Sequence, residues 1–310
     1  MILVAGGTGL LGRNVVARLV GRGVSVRVLT RDLALGRQAL GALADRVDLM
    51  EGDVRIVSTL GPAVAGADTV IAAVQGFGGR EAGGIAAVDR DGNRNLVRAA
   101  AGAGVKRFVL LSIHDASATD PLALGRAKAT VEANLRLTSM TPLIIRPTAY
   151  METWAGIVGG PILATGRARV FGRGRNPINF VASGDVAAVV EDVVVDRSDD
   201  GASRKIEVVG PEDLSFDDLV TRFSAALGRP VPTSHVPLPI LRVMAVAMRP
   251  IKPILADQIA AAIVLDTTDR RARTVPAEPA SIRRGSTTFE SVIAGFVATS
   301  ESGADAPAPA

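Results

Sequence analysis

The sequence predicts an α/β protein, a doubly wound parallel sheet with a small C-terminal extension, on three observations. The chain opens with an apolar strand, Ile2–Ala5, that runs straight into Gly6-Gly-Thr-Gly9-Leu-Leu-Gly12 and then into an amphipathic helix. Strand-like and helix-like runs alternate from there to about residue 150. The composition is 48% hydrophobic and only 3% aromatic, so the core is Ala, Val, Leu and Ile, which suits parallel strands buried on both faces.

Each element has a local reason. The first helix, Gly12–Arg22, carries Val15, Val16, Leu19 and Val20 at helical spacing. Further strands are expected at Ser25–Thr30, Val47–Glu51, Thr69–Val74, Arg107–Ser112, Leu143–Arg146 and Lys205–Val209. Helices are expected at Arg37–Ala44, Gly83–Ala101, Gly125–Leu137, Asp185–Val195 and Ser215–Leu227, the last capped by Asp213 or Ser215. Past residue 150 the alternation weakens. Gly159-Gly-Pro161 and Gly166–Pro177 read as loops. Leu238–Met248, fenced by Pro237, Pro239 and Pro250, is about half a membrane span and reads as a core or pocket-covering helix. Its alternative is an interfacial segment that admits an apolar substrate. The organisation expected is a Rossmann-type core over 1–150, a substrate-side extension over 151–298 interleaved with the last strands, and a disordered tail over 299–310.

Several classes are excluded. Without cysteine there is no disulfide, thiolate nucleophile or Cys-zinc site, and a reducing cytoplasm is the expected compartment. With only His114 and His235, no histidine-rich metal site is expected. The chain enters its first strand at once, so no signal peptide is expected. A net charge of +4 on mixed charges with few aromatics argues against nucleic acid as a partner. No run is long enough to span a membrane, which leaves room only for peripheral contact.

The glycine turn carries the chemistry. A helix N-terminus offers free N–H groups and a partial positive charge, which suit a pyrophosphate. Gly6 permits the tight turn, Gly9 the approach of phosphate to backbone, and Gly12 close helix–strand packing. Gly6, Thr8, Gly9, Leu10, Leu11 and Gly12 are the expected cradle of a dinucleotide. A carboxylate after the second strand would accept the ribose hydroxyls of NAD(H). Here the strand ends Thr30-Arg31, and an arginine there can fork onto a 2′-phosphate. NADP(H) is therefore favoured, with NAD(H) the alternative and Asp32 the residue that would spoil the inference by turning inward. Arg13 is a second candidate cation. Ala72, Ala73 and Val74 end the fourth strand, where small residues let adenosine lie against backbone.

Three further stretches carry a resemblance: Val88-Asp-Arg-Asp-Gly-Asn-Arg-Asn-Leu96, Gly104-Val-Lys-Arg-Phe-Val-Leu-Leu-Ser112, and Ala127-Lys-Ala-Thr-Val-Glu132 with Leu143-Ile-Ile-Arg-Pro147 and Met151-Glu152. With Asn179–Ala187 they cover about two-thirds of the chain. The sequence resembles the atypical and extended short-chain dehydrogenase/reductase superfamily, in its NmrA-type or complex-I-subunit-like NAD(P)H-binding branch. The resemblance implies an oxidoreductase, an adenine-contacting acid at Asp53 with Val54 beside it, the strand-end serine at Ser112 and a nicotinamide-ribose lysine at Lys128. The fourth-helix asparagine of the family stands here as Asp89.

The superfamily's proton donor is a Tyr-x-x-x-Lys pair, in which the lysine lowers the tyrosine pKa. Four residues before Lys128 stands Leu124, and leucine donates no proton. The sole tyrosine is Tyr150. Lys128, His114 and Tyr150 are the candidate catalytic residues, with Glu132 a partner for Lys128. Arg167, Arg169, Arg173 and Arg175 read as an exposed hairpin, or else as a loop over the pocket. His235, among prolines, reads as structural. Two functions stay open: an NADPH-dependent oxidoreductase on a quinone-like or otherwise activated small acceptor, and a non-catalytic NADP(H)-binding sensor, scaffold or assembly factor.

Overall fold

The computed structural model describes residues 1–77, 84–195, 203–272 and 281–301. The first half alternates β1 (Ile2–Ala5), α1 (Leu10–Gly21), β2 (Val26–Thr30), α2 (Leu33–Leu40), β3 (Asp48–Glu51), α3 (Leu60–Val64) and β4 (Thr69–Ala72). A π-helical turn at Ala86–Gly92 then leads into α4 (Asn93–Gly102), β5 (Arg107–Leu111), α5 (Ala123–Arg136) and β6 (Thr141–Pro147). The second half holds β7 (Ala149–Tyr150), α6 (Met151–Thr165), β8 (Ala168–Phe171), β9 (Ile178–Val181), α7 (Ser183–Val195), β10 (Arg204–Val209) and β11 (Asp213–Leu214). It closes with α8 (Phe216–Ala226), β12 (Thr233–Val236), α9 (Leu238–Met248), α10 (Pro253–Thr267), β13 (Ser281–Arg284) and α11 (Phe289–Glu301).

Eight strands form one sheet in the order β13-β10-β6-β5-β4-β1-β2-β3, parallel throughout. The strand side-chain period of two sends alternate residues to opposite faces. Ile2, Val4, Ile71 and Val109 join α1 and α7 on one face. Leu3, Ala5, Val70, Phe108 and Leu110 join α3, α4 and α5 on the other. The order in which successive strands are added reverses between β1 and β4, which opens a crevice at their carboxyl ends. β10 and β13 come from beyond residue 150, so the extension lends two strands to the sheet. The scarce aromatics gather in the extension: Phe180, Phe216, Phe223 and Phe289 pack with Met151 and Ile162.

Several boundaries differ from expectation, each for a local reason. The second helix starts at Leu33, not Arg37, because the Asp32 carboxylate caps it, accepting from Leu35 N at 2.9 Å. Ser215 rather than Asp213 caps α8, in a reciprocal capping box with Asp218. Gly159-Gly-Pro161 is not a loop but lies inside α6, where Gly159 leaves room for Phe223; a Cβ there would meet its ring at 2.2 Å. Part of Gly166–Pro177 is β8, whose buried Ala168 and Val170 pair it with β12, so it is no hairpin. Leu238–Met248 is helical but not core, since Leu241 is its one buried residue. The tail expected from residue 299 is helical to Glu301. Gly83 and residues 302–310 lie outside the described residues.

Glu191 of α7 joins the two helices on one face of the sheet. It accepts from Arg18 on α1 at 2.7 Å and from Arg22, the residue that caps the end of α1. The Arg22 hydrogen bond holds the Glu191 carboxyl below its ordinary value against the opposing effect of burial, and Arg18 adds to it. A carboxyl lowered on folding stabilises the fold above its unfolded pKa and loses that contribution as pH falls through its folded pKa. Glu191→Gln is therefore expected to cost about 1 kcal/mol at neutral pH, the arginines being partly screened by solvent. The difference from wild type should close below the ordinary carboxylate range. Urea melts at stepped pH check both points.

Candidate functional site

The glycine turn lies at the β1 end of the crevice, and its glycines divide by role. Gly6 has φ +83°, and a Cβ there would meet Ala73 O at 2.6 Å. A Cβ on Gly12 would sit 2.0 Å from Gly6 O. The protein itself thus requires both to be bare. Gly9 differs: it caps α1 with φ −78° and ψ 176°, and its Cβ would stand 3.4 Å from Gly6 O, an ordinary contact. Nothing in the protein needs Gly9 to be glycine, so what it leaves open is space in front of the α1 N-terminus. The first N–H groups of a helix have no intrahelical partner, and here no side chain caps them. The cradle fits a dinucleotide pyrophosphate.

At the end of β2, Thr30 Oγ1 donates to Asp32 O at 2.9 Å, and the Asp32 carboxylate is spent on capping α2. Arg31 stands exposed beside the cavity. Asp53 is buried and grips the Arg55 guanidinium at 2.5–3.0 Å. Burial pushes the Asp53 carboxyl up, but the hydrogen bonds and charge of Arg55, with Arg31 adding, hold it below its ordinary value. Arg31 and Arg55 therefore both stand at the cavity beside Asp53, and Arg55 is a residue that the sequence reading does not single out. Its signal was the sequence neighbourhood of Asp53. Val54, Ala73 and Val74 line the cavity as expected, whereas Ala72, the last residue of β4, is fully buried and does not line it, and neither does Arg13.

Across the crevice two buried charge clusters sit under β4, β5 and β6. Lys128, 3% exposed, puts Nζ 3.1 Å from Asp89 Oδ1 and donates to Val74 O at 3.2 Å. Asp89 Oδ2 accepts from Gly76 N at 2.9 Å. Lys128 thus pairs with Asp89, not with Glu132 one turn on. Glu132 instead takes the Ser112 hydroxyl at 2.6 Å and Arg146 at 2.7 and 2.9 Å. Arg146 reaches Glu207 at 3.3 Å, and Glu207 meets His114 Nδ1 at 2.7 Å. His114 Nε2 is buried without a hydrogen-bond partner, 3.6 Å from Asp115 Oδ2. These residues come from α5, β6, β10 and the loop after β5, so only the folded sheet brings them together.

The cavity holds about 1040 Å³. Leu124 lines it one turn before Lys128, the position of the family's tyrosine. Tyr150 lines it too, and burial, with the Glu152 charge adding, pushes its phenol up. The far end is apolar, with Leu122, Trp154, Ala261 and Val264, and cationic at Arg126, Arg249 and Arg270. The α10 contribution was missed because that helix is apolar all round and gives no one-sided pattern. Arg167, Arg169, Arg173 and Arg175 lie off the cavity, and Arg173 instead pairs with Asp266 at 3.2 Å. His235 is an exposed partner of Asp217 at 2.8 Å. Among the described residues no cluster of His, Asp or Glu would hold a metal.

The chain belongs to the NmrA-like family, whose model matches residues 1–271. It is 30% identical over 244 residues to a photosystem II assembly factor, Ycf39, of Synechocystis, covering 78% of this chain and 72% of that one. It is 26% identical over 231 residues to an NAD(P)H azoreductase of Xenophilus azovorans, covering 74% and 75%. The Escherichia coli NADPH-dependent quinone oxidoreductase QOR2, solved with NADPH, superposes with TM-score 0.69 at 20% identity, covering 96% of this chain and all of that one. The binary complex of Vitis vinifera leucoanthocyanidin reductase with NADPH gives TM-score 0.73 at 16% identity, covering 96% and 99%. These structures share the Rossmann-like fold with this chain.

The division of roles among the glycines is testable. Gly9→Val is expected to unfold like the wild type and to bind NADPH at least about tenfold more weakly, a loss of about 1.4 kcal/mol. Gly12→Ala is expected to lose about 1–3 kcal/mol of stability by overpacking. Calorimetric titration and thermal melts of the two variants check the contrast.

Proposed function

We propose that this protein is an NADPH-dependent reductase of quinone-like or similarly activated acceptors that works without a dedicated proton donor. The observation that carries the proposal is Leu124, an apolar side chain on the cavity wall one helical turn before Lys128. Arg31 and Arg55 hold the 2′-phosphate, and the α1 N-terminus holds the pyrophosphate. Bound dihydronicotinamide supplies a hydride. Lys128, fixed by Asp89 and the Val74 carbonyl, orients the nicotinamide ribose. Leu122, Leu124 and Trp154 exclude water from a flat acceptor and stack against it.

An ordinary ketone becomes an alkoxide on hydride addition and needs a proton from a nearby acid. The candidates for that acid are poorly placed. The Tyr150 phenol is pushed up and has no lysine to lower it. His114 Nε2 is buried and Nδ1 faces Glu207. Lys128 is engaged by a carboxylate. A quinone gives a delocalised, phenolate-like anion that is stable enough to take its proton from bulk water on release. The azoreductase relative and the quinone oxidoreductase neighbour support this class of acceptor by name and fold.

A second reading, NADP(H) binding without turnover, is favoured by the same lysine being tied to Asp89 and by the assembly-factor relative. The two separate in steady-state assays on matched acceptors. NADPH oxidation with a naphthoquinone, at least about 10²-fold faster than with an aryl ketone, is expected, that being the low end of what a general acid supplies. Efficient ketone reduction would contradict the absence of a donor. Tight NADPH binding with no oxidation on any acceptor would favour the second reading. Arg31→Ala is expected to weaken NADPH by about 1.5–3 kcal/mol, as for hydrogen bonds to charged groups, and to leave NADH nearly unchanged. Equal losses for the two nucleotides would remove Arg31 from the site.

A further inference from the structure

The α9 segment is apolar nearly all round, yet only Leu241 is buried. Ile240, Val243, Met244 and Val246, with Ile251 and Leu255 just beyond, are 37–74% exposed. Single exposed apolar side chains are ordinary, but a contiguous patch of this kind marks an interaction surface. A helix apolar on both sides belongs in a core or against lipid. One side of α9 rests on α10, and nothing in the chain covers the other among the described residues.

Charge decides what the occupant is. Arg242, Arg249 and Lys252 stand exposed among the apolar side chains. The sequence has no carboxylate between Asp218 and Asp257. Among the described residues, only Arg249 of the three cations meets an acid, Asp257 at 3.5 Å. A second copy of this chain would be a poor partner. A two-fold contact sets a patch against itself, and these cations would face one another with no acid in the segment to answer them. An anionic lipid surface answers them all, each basic side chain near it adding attraction. At eleven residues α9 is about 16 Å long, half the hydrocarbon thickness, so it lies in the interface rather than crossing. No described helix is long and apolar enough to cross. The cavity lies next to this segment, for Arg249, just past α9, and Asp257, Ala260, Ala261 and Val264 of α10 line it.

We propose that α9 and the first turn of α10 form an interfacial anchor that docks the protein on an anionic phospholipid bilayer. The docking stands on the exposed face and its charge and is independent of any hydride chemistry in the cavity.

Flotation of the full chain with phosphatidylcholine vesicles, with and without phosphatidylglycerol, tests it. The wild type is expected to float with the anionic vesicles, to be released by high salt, and to ignore phosphatidylcholine alone. Val243→Glu and Val246→Glu replace exposed side chains, so both are expected to keep the wild-type melt and to lose at least about tenfold in partitioning. The chain has no cysteine, so Ala247→Cys takes a single environment-sensitive label. Its emission should shift to the blue with anionic vesicles, while a label at Ala17→Cys on the exposed face of α1 should not move. Failure of the wild type to float, equal flotation of the glutamate variants, or matching shifts at both labels would overturn the proposal. So would a wild-type dimer that Val246→Glu converts to monomer, which would make this face a contact between copies.

Discussion

The contact between Lys128 and Asp89 constrains the rest of the cleft. Both side chains are out of water, and a charge left there without its partner costs several kcal/mol. The pair therefore locks α5 to the π-helical turn, and through Val74 O and Gly76 N it locks both to the end of β4. The π-helical turn is itself fitted to this duty. Asn93 donates to Val88 O and Asp89 O, meeting carbonyls that the widened helix leaves open. Asp89 Oδ1 meets the lysine as an ion-pair contact rather than an aligned hydrogen bond. An ammonium fixed at the carboxyl edge of the sheet is a positioning device for whatever lies over β4.

A second buried chain, Ser112 to Glu132 to Arg146 to Glu207 to His114, stiffens the neighbouring edge. Arg146 stands between two buried carboxylates and satisfies both. Ser112 and His114, which sequence reasoning placed at the chemistry, are tied into this scaffold from below. Leu124 is the counterpart on the cavity wall, an apolar side chain one helical turn before Lys128. A rigid polar floor under an apolar wall suits an acceptor that stacks well and needs little protonation.

What the sequence made legible was local. The glycine turn and the first six buried strands follow from contiguous residues and period, whereas their order in the sheet is set by the fold. The second-helix boundary was misread because Asp32 was weighed only as a ligand acid and not as a cap. The extension was misread where packing outweighs propensity: Gly159 and Pro161 look like loop residues until Phe223 is seen filling the space above the glycine. Lys128 is legible in the sequence but its partner is not, since Glu132 lies one helical turn on while Asp89, on another element, is brought to it only by the fold. Arg55 was hidden in the same way beside Asp53. The exposed side of α9 was invisible, because an apolar run does not say which of its faces is covered.

The central claim, reduction without a protein proton donor, is tested most directly by single-turnover oxidation of enzyme-bound NADPH by a naphthoquinone, followed anaerobically across about pH 6 to 9, the range in which catalytic acids are tuned to work. A fast, pH-independent step with a primary isotope effect from deuterated NADPH is predicted. A rate that falls away as one protein group deprotonates in that range would show that the cleft supplies a proton after all, and would contradict the account.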